Sequence, residues 1–582
     1  MNFYQELHLF SDCPVIRLLE LHLCIQVDNV PEIEGSLTTH DLRDLPNFDA
    51  LSYAWGPKDL SAHITLHGEV FLVSQTLFAA LRQICVNQQG APRKLWVDAI
   101  CINQHDNAEK SHQVMLMKDI YASANRVLSW IGQPDQLSTL AFDTLKRFAA
   151  DDGTPNGSAT YRGILKEVNE RRASLDLVLQ RGYFSRLWIV QEVVVARMVT
   201  VLCGSLRIDF DKLRIALQRM TGSGFYRFSS SIAKVVYIGS WRSSFHETDY
   251  PDGERYLDVR LFEDSRDRIA ADARDKIYAL RGIANKALGT CIKVDYDDAV
   301  ETVYTDFAKT VLSLRQDLQI LSAIYLRHGR MSTLSLPSYV PDWSLPKYGG
   351  GFLQRYYRFK PTHVFRAAGT SIPRVSLTEG SNTVGIQGSR LDVISRVIPI
   401  KSLLHTGDGD SVVVDETILR ELSATASPSL TYGFTNEPSW VAFFRTLTAD
   451  RTALSPRIDE TYWSQYFGAY SEASRRNSSG DISSLPSSLW EALSKDVGII
   501  IEDKDMFVTA QGYFGLGHEG LGEGDVVCIL LGGEVPFLLR QTGQGGQQAR
   551  FRFLCECYVH GVMDGEAVKG PESGSLEEFL ID

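Results

Sequence analysis

Side chains that could bind or cleave a ligand gather in one short stretch of the chain, Leu95–Gly132, which reads as a strand, a polar loop, an amphipathic helix and a second strand. The loop contains five groups able to hydrogen-bond or to act as acids, bases or nucleophiles: Asp98, Cys101, Asn103, Gln104 and Asp106. Open α/β sheets bind their ligands at the carboxyl ends of strands. The loop is therefore predicted to form one wall of a binding pocket.

A second candidate is Glu192, the only acid in the apolar helical pattern Ser185–Ala196. Helical spacing places Trp188 and Glu192 on one face. A carboxylate beside so much apolar surface must be paired or functional, because an isolated buried charge is too costly. Arg181 and Arg186 are the candidate partners, and the residues alone leave both interpretations open.

The other polar residues of the loop also have structural interpretations. Asp98 either organises the loop by bonding nearby N–H groups or contacts a ligand. Cys101 lies in an apolar context, which favours a small buried side chain over a nucleophile. Asp106 and Glu109 have capping-box spacing and predict the start of a helix, with Glu109 serving only as a cap.

Elements that could position these groups follow from hydrophobic periodicity. Strands are predicted over Val15–Ile25, Ala50–Trp55, Lys94–Ile100 and Arg126–Ile131, with a hairpin over His63–Val73. Helical patterns separate several of them, which is typical of an α/β fold whose parallel strands are joined by right-handed crossovers. A mainly helical region and a small C-terminal β module of short strands and Gly turns are predicted to follow.

At 582 residues the chain is too long for one core. We predict an N-terminal strand and lead-in (1–47), an α/β domain (48–205), a mainly helical region (206–345), a mixed region with a mobile Ser-rich segment at 471–488 (346–496) and a β-rich module (497–570). Within the helical region, Asp272, Arg274 and Asp275 are expected to form ion pairs that join it to the sheet domain.

Charge and composition argue against several classes of protein. The formal net charge of −12 disfavours a phosphate-backbone binder, so no nucleic-acid partner is expected. The nine cysteines are scattered, which fits reduced thiols and a cytoplasmic location. The N-terminus lacks the features of a secretory signal, and no segment reaches the roughly 18 apolar residues of a membrane span.

Motifs for bound cofactors are weak. Cys101, His105 and His112 match no zinc spacing, so we predict no metal site. Gly515, Gly517 and Gly520 form a G-x-G-x-x-G match, but a strand rather than a helix follows it. We interpret it as a Gly-rich turn and predict no resident cofactor.

Several of these motifs together resemble the fungal heterokaryon-incompatibility (HET) domain, over about residues 48–205. They are Leu51–Gly56 (LSYAWG), Trp96–Gln104 (WVDAICINQ), Trp130–Gly132 and Trp188 with Gln191-Glu192. The remaining chain resembles long HET-domain proteins. The resemblance implies a signalling protein of non-self recognition that promotes cell death and assembles with itself or with other HET proteins.

The domain is also distantly similar to Toll/interleukin-receptor (TIR) domains, in which a Glu follows a Trp by four residues, as Glu192 follows Trp188. This resemblance implies a TIR/flavodoxin-like parallel sheet with flanking helices, and NAD⁺ as a substrate cleaved with Glu192 as the catalytic residue. The residues expected to bind the dinucleotide are Tyr53, Trp55, Asp98, Asn103, Gln104 and Trp188. The alternatives are a non-catalytic adaptor that acts through homotypic HET contacts, and a nucleotide sensor without turnover.

This chain departs from the TIR pattern in three places. No Cys follows Trp188, a hairpin is inserted at residues 62–73, and residues 133–184 add a segment before the Glu192 helix. These differences affect the loops that would contact a dinucleotide more than they affect the order of the strands.

Overall fold

The described part of the chain divides into two units, residues 1–300 and 301–582. The computed structural model describes all residues except 1–2, 8, 10–13, 23–24, 28–29, 57–59, 87–92, 151–170, 223–229, 247–258, 316, 325–331, 348–364, 401–403, 407–411, 415–430, 434, 452–496, 499, 502, 544–548 and 570–575. The predicted Ser-rich segment at 471–488 lies outside the described residues.

The N-terminal unit is built on a nine-stranded mixed sheet. Its strands and one separate hairpin, β2–β3, are β1 (Val15–Leu21), β2 (Ile25–Val27), β3 (Val30–Glu32), β4 (Glu34–Asp41), β5 (Asp49–Tyr53), β6 (Ala62–Leu66), β7 (Glu69–Val73), β8 (Arg93–Trp96), β9 (Val127–Trp130), β10 (Val199–Cys203) and β11 (Leu206–Asp209). The strand order is β11-β10-β9-β5-β8-β1-β4-β6-β7.

The four strands β10, β9, β5 and β8 are parallel and form the centre of the sheet. The chain runs from β5 to β8 on one side of β5, and then to β9 on its other side. Such a reversal of strand order opens a crevice at the carboxyl ends of the strands. Every residue of β5 is buried, as expected for a central strand covered on both faces.

Helices complete the N-terminal unit. They are α1 (Phe3–Glu6), α2 (Gln75–Val86), α3 (Asp98–Cys101), α4 (Asn107–Ser123), α5 (Ser138–Ala149), α6 (Arg172–Leu179), α7 (Ile189–Val194), α8 (Phe210–Gly222), α9 (Ser230–His246), α10 (Val259–Asp264), α11 (Asp275–Tyr278) and α12 (Lys286–Cys291), with a 3₁₀ turn at Gly182–Ser185. The predicted arrangement of an α/β sheet followed by helices is confirmed. No helix in the described residues is long and apolar enough to cross a bilayer.

Two predicted elements have different bounds from those expected. The strand predicted over Lys94–Ile100 is wrong beyond Trp96, because the chain turns at Asp98, whose carboxylate accepts the N–H of Ala99 at 2.7 Å. The helical pattern Ser185–Ala196 reduces to α7, preceded by the 3₁₀ turn. The predicted cap is confirmed, since the Asp106 carboxylate accepts the Glu109 N–H at 3.0 Å.

The C-terminal unit contains a mainly antiparallel sheet that closes on itself, in which only the described pair β20–β21 is parallel. Its strands, with one separate pair, β14–β15, are β12 (Val375–Leu377), β13 (Val384–Ile398), β14 (Leu404–Thr406), β15 (Val412–Val414), β16 (Lys504–Thr509), β17 (Phe514–His518), β18 (Val526–Leu530), β19 (Phe537–Gln541), β20 (Arg550–Val559) and β21 (Glu577–Ile581). Its helices are α13 (Val300–Leu314), α14 (Ser439–Leu447) and α15 (Glu566–Lys569), with a 3₁₀ turn at Gln319–Ala323.

Closure of this sheet depends on β13, which pairs with β16 through one part and with β18 through another. The path β13-β16-β17-β20-β19-β18 then returns to β13. Register shifts at Arg390/Asp392 and at Ile394/Arg396 interrupt the pairing of β13, and bulges of this kind bend a strand. A C-terminal β sheet is thus confirmed, but it also includes β12, β13 and β21, which lie outside the predicted bounds 497–570. The sequence pattern did not reveal β13.

Candidate functional site

The carboxyl ends of the parallel strands bring several predicted residues together. Ser52 and Tyr53 end β5, and Asp98 follows β8 with one residue between. Ser129 on β9 is the register partner of Ser52. This edge is where the reversal of strand order predicts a ligand crevice.

Glu192 projects from α7 into this edge, where it is 1% exposed. The Ser52 hydroxyl donates a short hydrogen bond to its Oε2. The Tyr183 hydroxyl lies within hydrogen-bonding distance of the Ser52 hydroxyl, at 2.9 Å, and of the Ser129 hydroxyl, at 2.7 Å. The carboxylate is therefore the end of a buried chain of three hydroxyl groups.

The surroundings of Glu192 disfavour its charged form. Burial raises its pKa from 4.5 to about 7, against the opposing effects of the Arg186 charge and the Ser52 hydrogen bond. The Arg186 guanidinium donates to the carbonyl of Tyr53, and no direct ion pair joins it to Glu192. A carboxyl group that titrates near neutral pH can accept a proton or stabilise a developing cation.

Asp98 is the second acid of the site and the more accessible one. Its carboxylate accepts the indole N–H of Trp55 at 2.9 Å and hydrogen-bonds to the Tyr53 hydroxyl. Asp98 is half-buried and Trp55 is 41% exposed. Burial raises the pKa of Asp98, although Arg186 opposes the shift. Tyr53, Trp55 and Asp98 thus meet at one edge, in the same place as Glu192.

Asn103 and Gln104 make contacts within their own loop. The Gln104 amide donates to the backbone carbonyl of Asp98 at 2.9 Å, so it fixes the turn that presents the Asp98 carboxylate. The side chain of Asn103 accepts the N–H of His105 at 3.3 Å. Both residues are partly exposed. Their role as dinucleotide ligands stays a prediction.

Trp188 lies at the start of α7, and its indole N–H donates to Asp275 Oδ2 at 3.0 Å. The same carboxylate accepts the Tyr296 hydroxyl at 2.6 Å. The expected ion pairs of this segment are thus only partly formed, because Arg274 pairs with its neighbour Asp272 and Asp275 binds neutral donors. Contact of Trp188 with a dinucleotide also stays a prediction.

Glu109 has a larger structural role than capping. Its two carboxylate oxygens accept from the Arg17 guanidinium at 2.6 and 3.0 Å, and one also accepts the N–H of Asn103 at 2.7 Å. Arg17 is fully buried and donates as well to the carbonyl of Cys101 at 3.1 Å. The ion pair therefore holds the loop that carries Asp98. The interpretation of Glu109 as only a cap is wrong.

Cys101 is buried, and burial raises the pKa of its thiol to about 12. A protonated thiol is a poor nucleophile, which agrees with its interpretation as a small buried side chain. The described residues contain no cluster of three or more His, Cys, Asp or Glu side chains that could hold a metal ion.

Three further residues of the site were not singled out from the sequence: Ser52, Tyr183 and Ser129. Their contacts join segments up to 140 residues apart, which local periodicity cannot reveal. One signal was present. Ser52 interrupts an apolar strand that is buried on both faces, and a polar group in such a position needs a partner.

Comparisons with known proteins divide the chain in a similar way. A family model described as "Heterokaryon incompatibility protein (HET)" matches residues 48–192, and one described as "Het-6 beta-barrel domain" matches residues 445–580. The chain is 24% identical to heterokaryon incompatibility protein 6, OR allele, of Neurospora crassa, over 99% of this chain and 97% of that protein. No solved structure matches the chain.

Proposed function

We propose that this chain, which matches the HET and Het-6 β-barrel family models and is similar over 99% of its length to a heterokaryon incompatibility protein, promotes cell death in response to non-self. We further propose that its HET domain cleaves NAD⁺. The observation that carries this proposal is the position of Glu192, an acid with a raised pKa buried against Ser52 and close to Asp98 and Arg186.

The strand order supports a TIR-like site. Numbered along the chain, the four central parallel strands β5, β8, β9 and β10 have the spatial order 2-1-3-4. Flavodoxin-like sheets share this order and bind their ligand beside the first and third strands. Here those strands are β5 and β9, which supply Ser52 and Ser129. The proposed substrate site is the edge that these residues share with Glu192.

The reaction is hydrolysis of the bond between the ribose C1′ and the nicotinamide nitrogen. That bond breaks with its electron pair leaving on nicotinamide, and C1′ develops oxocarbenium character, as in glycoside hydrolysis. The ionised Glu192 stabilises this charge. Water then adds its oxygen to C1′ and releases a proton, so that the products are nicotinamide and ADP-ribose.

The other residues of the edge supply binding. Trp55 presents a partly exposed indole on which a ring of the dinucleotide can stack. Asp98 and the Tyr53 hydroxyl provide hydrogen-bonding groups for ribose hydroxyls. In this proposal Asn103, Gln104 and Trp188 shape the pocket wall, and NAD⁺ is a substrate rather than a resident cofactor.

A carboxylate that contacts ribose must be reachable, yet Glu192 is 1% exposed. The proposal therefore includes a change of state in which the edge of the sheet opens. We assign this opening to assembly of HET domains, with further copies or with other HET proteins, in the cytoplasm.

The same burial favours a second candidate, an adaptor that acts by homotypic assembly without catalysis. In that case Ser52, Tyr183 and Arg186 compensate Glu192 as part of the core, and no substrate reaches it. The two candidates differ in one observable, which is the release of nicotinamide.

The test uses the full-length protein fused to a chemically induced dimerisation module. The purified fusion is incubated with NAD⁺ with and without the inducer, and nicotinamide is measured by chromatography. We expect release that increases on assembly. Absence of release in both states, together with cell death on induced assembly in fungal cells, would overturn the enzymatic proposal in favour of the adaptor.

A further inference from the structure

The helix that carries Glu192 is held by residues far outside the part of the chain that matches the HET family model. That match ends at residue 192, whereas two contacts to α7 come from the segment Asp272–Gly282. Asp275 accepts the indole N–H of Trp188, the residue just before the helix. The N–H of Gly282 donates to the side-chain carbonyl of Gln191, within the helix, at 3.1 Å.

The residues that make these two contacts are buried and closely packed. Gln191 is 2% exposed and Asp275 is 6% exposed. A Cβ atom at Gly282 would lie 2.2 Å from Oε1 of Gln191, so only glycine lets the backbone approach that closely. The neighbouring Lys276 donates to the carbonyls of Arg266 and Arg268, which fixes the start of α11.

The chain just before α7 is held from the same region. Leu187 donates its N–H to the carbonyl of Ile269 at 2.9 Å, and Ile269 donates to the carbonyl of Ser185 at 2.7 Å. These bonds flank Arg186, whose guanidinium reaches Tyr53. Both the carboxyl group of Glu192 and the cation Arg186 therefore lie on a segment, Ser185–Val194, that depends on residues 269–282 for its position.

The carboxyl end of α7 is held as well. Arg242 on α9 is 5% exposed and donates to the carbonyls of Val193 and Ala196, the first at 2.9 Å, and to that of Arg197 at 3.0 Å. A cation at a helix carboxyl terminus satisfies carbonyls that have no partner within the helix. A six-residue helix has little stability of its own, so such contacts decide where it lies.

We propose that Asp275 and Gly282 are positioning residues for Glu192, and that the functional HET unit extends through the segment Asp272–Gly282. The positioning of a catalytic group rests on the proposed NAD⁺ cleavage, whereas the dependence of α7 on this segment does not. Asp275 acts through Trp188 and Gly282 acts through Gln191, so neither touches the substrate.

The test compares Asp275→Asn and Gly282→Ala with Asp272→Asn, in the full-length protein. Asp275→Asn removes the charge that binds the indole, and Gly282→Ala displaces the Gln191 side chain. Asp272→Asn is the matched control, because the Asp272 carboxylate pairs with Arg274 in the same segment and, among the described residues, forms no hydrogen bond or ion pair with α7. The two positioning variants act on different contacts, so the test does not depend on one of them folding.

Two readouts separate positioning from general loss of structure. Hydrogen exchange of peptides that cover residues 186–195 should accelerate about tenfold or more in both positioning variants, with exchange of β5 and β9 unchanged. In the assembled protein, kcat for nicotinamide release should fall about 10- to 100-fold with KM within about twofold, since misplacing a catalytic group by 1 Å has such an effect. Asp272→Asn should change neither quantity by more than about twofold.

Unchanged exchange of residues 186–195 in folded Asp275→Asn and Gly282→Ala would overturn the proposal, as would equal effects in Asp272→Asn. If the wild-type protein releases no nicotinamide in any state, the NAD⁺ proposal fails, and hydrogen exchange still decides whether the segment holds α7. Accelerated exchange with a normal kcat would contradict the positioning of Glu192 for catalysis, but it would still show that the segment holds α7.

Discussion

Glu109 and Glu192 are both buried glutamates of the N-terminal unit, and the structure compensates them in different ways. Glu109 forms a two-bond ion pair with Arg17 and accepts a backbone N–H. Glu192 accepts from the neutral hydroxyl of Ser52, and the arginine beside it, Arg186, is bound to a backbone carbonyl. The first acid has a full set of charged and polar partners, whereas the second does not.

We infer that this difference separates the structural acid Glu109 from Glu192, the acid proposed to be functional. A buried ion pair with ideal geometry fixes a loop, and here the loop presents Asp98. A buried acid whose partners are mostly neutral has a raised pKa, and groups of this kind concentrate at functional sites. In the C-terminal unit, the buried Asp525 resembles Glu109, because Arg540 binds both of its oxygens at 2.7 and 2.8 Å.

The largest effect on stability should follow from breaking the compensated pair. Glu109→Ala leaves the Arg17 charge buried without its carboxylate, and we expect a loss of about 3–5 kcal/mol in the free energy of unfolding. Denaturant unfolding measures it. The double variant Arg17→Met with Glu109→Leu is the control and should recover most of the loss. A change below about 1 kcal/mol in the single variant would contradict the structural role.

A slightly smaller effect on the free energy of unfolding is expected from Glu192, and unlike that of Glu109 it should depend on pH. The folded protein keeps the Glu192 proton up to about pH 7, whereas the unfolded chain releases it near 4.5. Protonation of Glu192 in the folded state therefore stabilises the protein fully below pH 4.5. This stabilisation is lost as the pH rises from 4.5 to 7. Relative to Glu192→Gln, the wild type should lose about 3 kcal/mol across this window. Parallel stability curves for the two proteins would contradict the raised pKa.

The hydroxyl chain should have an intermediate effect. Ser52→Ala removes the hydrogen bond that stabilises the charged form of Glu192, so its pKa should rise further, by about one unit. The pH at which nicotinamide release reaches half its maximum would report this shift, because the reaction uses the ionised form. Ser129→Ala, at the far end of the chain, is the control and should shift that pH much less. A downward shift in Ser52→Ala would contradict the arrangement.

The exposed part of the site should tolerate substitution best. Trp55→Phe removes the indole bond to Asp98 at a position that is 41% exposed, and we expect the free energy of unfolding to change by less than about 0.5 kcal/mol. The phenyl ring still offers a stacking surface, so KM for NAD⁺ should change little. Trp55→Ala should raise KM several-fold. Equal KM values for the two variants would exclude stacking on Trp55.

Local signals in the sequence predicted much of the N-terminal sheet. The hairpin over His63–Val73 is confirmed, with its turn at His67 and Gly68, which both have positive φ angles. The predicted cap of α4 at Asp106 is also confirmed. It could be predicted because a cap depends on residues only three positions apart. Tyr53, Trp55 and Asp98 could be placed together because strand ends of a parallel sheet share an edge.

What the sequence could not reveal depends on contacts distant along the chain. Arg17 lies 92 residues from Glu109, and Asp275 lies 87 residues from Trp188. Neither pair shares a local pattern. The long strand β13 was missed because bulges interrupt its alternation of buried and exposed residues. Contacts between distant parts of the chain thus decide that Glu109 has a charged partner and that Glu192 has mostly neutral ones.

The central claim is that the incompletely compensated acid, Glu192, carries out the chemistry. The most direct test measures nicotinamide release by full-length wild type and Glu192→Gln under induced assembly, with circular dichroism to show that both are folded. We predict that wild type releases nicotinamide and that Glu192→Gln is slower by about 100-fold or more. Release by folded Glu192→Gln at the wild-type rate would contradict the claim.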